Sequence, residues 1–188
     1  MNRKAVVVLI SIIFGIQGLF AQEEFSWHLA LVKDDQGLPF DKPVNMNNEE
    51  KFSIQLYSYK DCYAYIVVEQ ASGSMLTLMN RRIKAGKIER TDDLFFDAET
   101  NGQEKIHVVT SSTEQKSLQR AIDAYDNDKS FRNTTMLQTA LSEVKDPKGD
   151  KPGKRSGFGG YVRGETETIQ GTEYSGSSAY KKTIIISH

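Results

Sequence analysis

Cys62 is the only cysteine in the 188-residue chain, so no internal disulfide is possible and a fold that depends on such staples is excluded. Histidine is nearly as scarce. His28, His107 and His188 are far apart, and no Cys or His pair has the spacing of metal ligands. No serine sits in a nucleophile elbow, and Cys62 has no histidine near it in sequence. Pairs such as Asp34 with Asp35 and Asp92 with Asp93 fall in turns, where acidic residues serve the backbone. The expectation is therefore no catalytic residue, no metal ligand, no cofactor and no enzyme.

A phosphate-binding loop is also missing. Gly149, Gly153, Lys154, Arg155 and Ser156 imitate one, but Arg155 separates the lysine from the serine, and no strand–turn–helix setting surrounds them. Charge of one sign is lacking as well, since the formal net charge is −1. Setting aside Arg3 and Lys4 leaves 22 of the 24 basic residues against 25 acidic ones. So mild a balance points to neither nucleic acid nor an anionic membrane as partner.

The one long apolar run lies at the start. Arg3 and Lys4 precede apolar residues from Ala5 to Phe20, the small residue Ala21 follows, and Gln22, Glu23 and Glu24 turn polar. This order predicts a secretory signal peptide over 1–21. The run is shorter than the ~20 residues of a spanning helix, so no stable membrane insertion is expected after cleavage. A periplasmic or secreted single domain over 22–188 follows.

Its centre is a β-rich core over 52–112. Phe52, Ile54 and Leu56 alternate with Ser53 and Gln55, the period of a strand with one buried face. Further strands are predicted over 63–69, 75–79, 94–96 and 105–111, with short turns at 60–62 and 71–74. Along 63–69, Tyr63, Tyr65 and Val67 share one face and Ala64, Ile66 and Val68 the other, which suits a central strand covered on both sides.

The same stretch carries Lys60, Asp61, Cys62, Tyr63 and Tyr65, then Gly73, Leu78 and Asn80, then Ala85 and Gly86, then Gly102 and Glu104 before a strand ending at Ser111. In that order these residues resemble the bacterial domain-of-unknown-function 4384 family, whose members often accompany caspase-like peptidase and kinase modules. Cys62 stands where the family has a turn glycine, and Met79 where it has a proline. The resemblance implies a β-rich accessory domain and brings no catalytic residues.

Outside this core, 25–32 reads as a first strand with Phe25, Trp27, Leu29 and Leu31 on one side. Residues 34–37 form a turn, and 38–51, with Pro39 and Pro43, a long loop. Helices are predicted over about 114–125, capped by Ser112 or Thr113, and about 134–145, capped by Asn133 and stopped at Asp146 and Pro147. Glycine and basic residues over 148–164 read as a mobile loop. C-terminal strands are expected over about 165–187, the last built on Thr183, Ile184, Ile185 and Ile186. The fold class is α+β and mainly antiparallel β, a sandwich-like sheet with two covering helices.

Tyr57, Tyr63, Tyr65 and Trp27 are the candidate residues for a ligand or partner, because a flat aromatic patch suits sugar or peptide. The function expected is a non-catalytic exported interaction module of the cell envelope or periplasm. It would bind an envelope or periplasmic protein partner, or an extended ligand, through sheet edges and the two loops. The alternatives are a glycan- or peptide-binding face on the clustered tyrosines and a hydrolase using Cys62 or a carboxylate pair.

Overall fold

β-branched and aromatic residues recur in alternation in several stretches, such as 63–69 and 105–109, and these form strands. The computed structural model describes residues 25–96, 101–145, 153–162, 165–176 and 178–188. The expected signal peptide, the expected helix stop at Asp146 and Pro147, and residues 148–152, 163 and 164 of the expected mobile loop lie outside these. In chain order come β1 (Phe25–Lys33), β2 (Gln36–Leu38), β3 (Val44–Asn45), β4 (Ser53–Ser58), β5 (Cys62–Glu69), β6 (Met75–Ile83), β7 (Ile88–Arg90) and β8 (Gln103–Ser111). Two helices follow, α1 (Lys116–Asn127) and α2 (Phe131–Glu143), then β9 (Lys154–Val162), β10 (Glu165–Gly176) and β11 (Ala179–Ser187).

Among the described residues these strands form two sheets, one ordered β7-β4-β1-β10-β9 with β2 also paired to β1, the other β3-β11-β8-β5-β6. Every pairing is antiparallel except that of β3 with β11. The class is α+β with sandwich-like sheets, as the residue pattern predicts. Trp27, Leu29, Leu31, Ile54 and Leu56 of the first sheet meet Ile66, Ile106, Val108 and Ile184 of the second in one buried cluster. Each such side chain contributes about 1.5–3 kcal/mol on burial, which makes the inter-sheet layer the main source of stability.

β5 is covered on both faces. Ala64, Ile66 and Val68 point between the sheets, while Tyr65 and Val67 meet the helices. The helices lie on this second sheet through Leu118, Ala121, Ile122 and Tyr125 of α1 and Leu137, Ala140 and Leu141 of α2. Their helical spacing produces the apolar stripes that the sheet then buries.

Several local expectations are corrected. Residues 154–162 are no loop but β9, in register with β10 from Lys154 opposite Glu173 to Val162 opposite Glu165. Glycine lowers strand propensity, yet in the paired strand β10 it makes room: a Cβ on Gly171 would lie 2.6 Å from the Phe158 ring and 2.7 Å from the Leu29 carbonyl oxygen. The expected strand over 94–96 is a single bridge between Phe52 and Leu94, and β7 forms instead. Asp34 and Asp35, with φ of 49° and 59°, make a two-residue hairpin turn, so Gln36 and Gly37 already belong to β2. The 38–51 loop contributes β3 to the second sheet and buries Phe40 and Met46 in the core.

Both helix caps also differ. α1 begins after Gln115 with no side-chain cap, and α2 begins after Ser130, whose hydroxyl accepts the Asn133 N–H. Asn133 itself is inside the helix and donates to the carbonyls of Ala124 and Asp128. No described helix is long and apolar enough to cross a membrane.

Candidate functional site

The four aromatic candidates are distributed over three places. Trp27 is fully buried between the sheets, its ring 5.0 Å from that of Tyr174 and 5.7 Å from that of Tyr180. Tyr65 lies under the helices, and its hydroxyl accepts the Gln115 N–H at 3.0 Å. Tyr63 is half-buried against the same cluster. Tyr57 belongs to the other sheet, on the face carrying Ala30, Val32, Phe158 and Ile169. Alternation along β4 and β5 turns these rings to opposite sides of the sandwich, so they form no common platform.

The groups able to do chemistry are held in structural bonds. Cys62 is buried, and desolvation pushes its thiol up to about 11, against an opposing hydrogen bond from Ser58. It is a thiol, and inert, at neutral pH. His28 has Tyr59 Oη at 2.9 Å from Nε2 and Ser156 Oγ at 3.1 Å from Nδ1. The rings of Tyr57, Tyr59 and Phe158 lie 5.1–5.8 Å from it. Burial lowers its pKa, and the nearby Glu173 opposes this. The imidazole is mostly neutral at pH 7, and Nδ1, the nitrogen where a catalytic triad carries its carboxylate, has the Ser156 hydroxyl instead. Tyr59 does not supply that charge, since burial, Glu173 and Tyr57 all raise its pKa.

His107 is similarly engaged. Thr183 Oγ1 is 3.0 Å from Nδ1 and Glu69 Oε2 is 3.3 Å from Nε2. Burial lowers its pKa, with Glu69 opposing. His188 lies between Asn48 Oδ1 at 3.1 Å and Glu104 Oε1 at 3.3 Å, under the Phe96 ring at 3.9 Å. The carboxylate of Glu50, in the asparagine-rich part of the 38–51 loop, is occupied by Lys33 and Asn47, which hold it down to about 2. Among the described residues no three His, Cys, Asp or Glu side chains are grouped to hold a metal ion.

Apolar surface stays open at Tyr59 and Phe95, each more than half exposed, at Leu76, and on the helices. Between α1 and α2, on the side away from the sheet, runs an apolar groove of about 520 Å³ flanked by Arg120, Ala121, Arg132, Met136, Ala140 and Glu143. Phe131, the first residue of α2, is 87% exposed, and Met136 is 40% exposed. Neither Arg120 nor Arg132 forms an ion pair with a described residue. Of this face only Phe131 and Arg132 are invisible to a reading that starts the helix at Thr134. The signal that reveals them is the cap: Ser130 accepting from Asn133 brings Phe131 and Arg132 into the helix.

Of the sheet edges, the one at β6 is less inviting. β6 has β5 on one side only and exposes Leu76, but its Met75 N–H is taken by the Tyr125 hydroxyl at 2.9 Å. A register shift opposite Ile66 and Val67 kinks it. Farther along, Arg81 pairs with Glu89 and Arg82 with Asp61. Bulges and charges of this kind blunt an edge against added strands. No family model, no curated protein and no solved structure matches the chain.

Proposed function

We propose that the chain is a non-catalytic interaction module, exported to the bacterial cell envelope or periplasm, whose outward helix face docks a protein partner. The observation that carries this is Phe131. An aromatic ring 87% exposed at the head of a well-packed helix forgoes the 1.5–3 kcal/mol that burial of such a side chain contributes. A partner that covers it recovers this energy. Met136 and the two arginines beside the groove belong to the residue types that concentrate binding energy in interfaces, Met and Arg being enriched there.

The histidines support the same reading, because each has both ring nitrogens engaged within the fold. So does the resemblance of 52–112 to a family of accessory domains. The 38–51 loop contributes less than its length suggests, since Phe40 and Met46 anchor it to the core.

The test is recovery of the envelope partner by the tagged chain carrying Phe131→Asp, with Leu76→Lys on β6 as the comparison. Both positions are exposed, so both variants fold. Loss with Phe131→Asp and retention with Leu76→Lys is the expected result. The reverse pattern moves the contact to the sheet edge.

A further inference from the structure

α2 carries its terminal charges against its own dipole. Arg132 is its second residue and Glu143 its last, and no acidic residue in the first turn or basic residue in the last turn compensates. A helix is stabilised by the opposite arrangement, negative at its N-terminus and positive at its C-terminus. Both side chains are exposed, and neither forms an ion pair with a described residue. Asp128, the nearest acidic residue preceding the helix, is engaged by Asn133.

These two charges share a stripe. Eleven residues make about three helical turns, so Arg132 and Glu143 lie on one side of α2, roughly 16 Å apart along its axis. Between them on the same stripe are Met136 and Thr139. The four positions are spaced by four, three and four residues, the seam along which two helices pack side by side. Ala121 and Ala140, small residues at the adjoining groove, let a second helix approach.

Resting on the docking role of this face, we infer that its partner is a second copy of the chain, with α2 packed antiparallel on its counterpart. A twofold axis between residues 137 and 138 sets Arg132 against Glu143 of the partner subunit and Met136 against Thr139 of the partner subunit. By symmetry each contact occurs twice, so the surface is self-complementary as a closed dimer requires. The same arrangement brings Glu143 of the partner subunit to the N-terminus of α2 and Arg132 of the partner subunit to its C-terminus. The dipole mismatch of each helix is removed by the other. Phe131, about 100° round the helix from Arg132, flanks this seam at its end and does not lie in it.

One helix of 13 residues is about 20 Å long, which places the interface at the small, transient end of the size range. The dimer is therefore sparse at about 1 µM and well populated at about 1 mM. Sedimentation of the exported chain across this range reads it out. Arg132→Glu alone and Glu143→Arg alone each set two like-charged pairs in the dimer and weaken it about tenfold or more. The double variant carrying Arg132→Glu and Glu143→Arg restores dimerisation to within about threefold of the parent. A monomer at every concentration, a dimer indifferent to the single variants, or a double variant that stays monomeric overturns the inference. If the chain is monomeric while Phe131→Asp still abolishes recovery of an envelope protein, the docking face stands and only the second copy is wrong. If the dimer behaves as described and no other protein is recovered, self-association is the function of the face.

Discussion

Replacing Tyr65 by phenylalanine isolates one of the bonds that seat the helix layer on the sheet. The ring is 1% exposed and keeps its packing, so the change removes one oxygen and nothing else. That oxygen accepts the N–H of Gln115 at 3.0 Å. Gln115 is the N-cap residue of α1, and no side chain caps that end. A hydrogen bond contributes about 0.5–1.5 kcal/mol net, and a fully buried orphan donor costs up to about 3 kcal/mol. Gln115 is only half-buried, so water recovers part of the loss and about 1–1.5 kcal/mol is expected. For a chain of this size that lowers Tm by about 2–6 °C. The urea midpoint should fall with m unchanged. Amide exchange should accelerate in the first turn of α1 while α2 stays protected. Tyr57→Phe is the control, because its hydroxyl makes no hydrogen bond with a described residue, and it should stay within about 0.5 kcal/mol of the parent. Equal effects from the two variants, or an unchanged α1 exchange pattern, would refute the role given to the Tyr65 hydroxyl.

Deleting residues 179–188 removes Tyr180, Ile184 and Ile186 from the core. At about 1.5–3 kcal/mol each this loss rivals a total stability of about 5–15 kcal/mol, so circular dichroism should show a largely unfolded chain. Gly37→Ala places a Cβ 1.8 Å from the backbone carbonyl oxygen of Gln170. Overpacking against backbone that cannot yield costs about 1–3 kcal/mol or more, and the urea midpoint measures it. Cys62 should react with a thiol reagent only as fast as the chain opens, given its burial and its pKa of about 11; rapid labelling under native conditions would show the site wrongly described. His28 and His107 both have pKa values lowered by burial. Above about pH 6.5 the rings are neutral in both states; below it the unfolded chain takes up protons that the folded chain refuses. Stability should therefore fall as pH drops from 6.5 through the folded values, by at most about 1.4 kcal/mol per pH unit for each ring, and His107→Gln should flatten that slope in urea titrations.

The strands of the core and both helices are legible in the residues because local periodicity reports a buried face directly. Ile54 and Leu56 alternate with Ser53 and Gln55, and Leu118, Ala121, Ile122 and Tyr125 recur at helical spacing, whatever they pack against. The dense β-branched run at Thr183–Ile186 likewise forms β11, paired along its length with β8 and at its end with the short β3. β9 is different. Its glycines carry no periodic signal, and only pairing with β10 and the close approach of Phe158 to Gly171 give them a strand to belong to.

The division into two sheets was also beyond local reading. β1 pairs with β4 and β10, and β5 with β6 and β8, contacts that join residues up to about 150 positions apart. That division sent Tyr57 to one side of the sandwich and Tyr65 to the other, although eight residues separate them. Alternation states that a strand has two faces; which face meets the opposite sheet, a helix or water depends on the partners assembled around it. The start of α2 was decided in the same way. Thr134 and Phe131 are equally acceptable first residues by propensity. The Ser130 cap and the bonds of Asn133 to Ala124 and Asp128 place Phe131 and Arg132 on the helix, and with them the exposed face on which the functional reading rests.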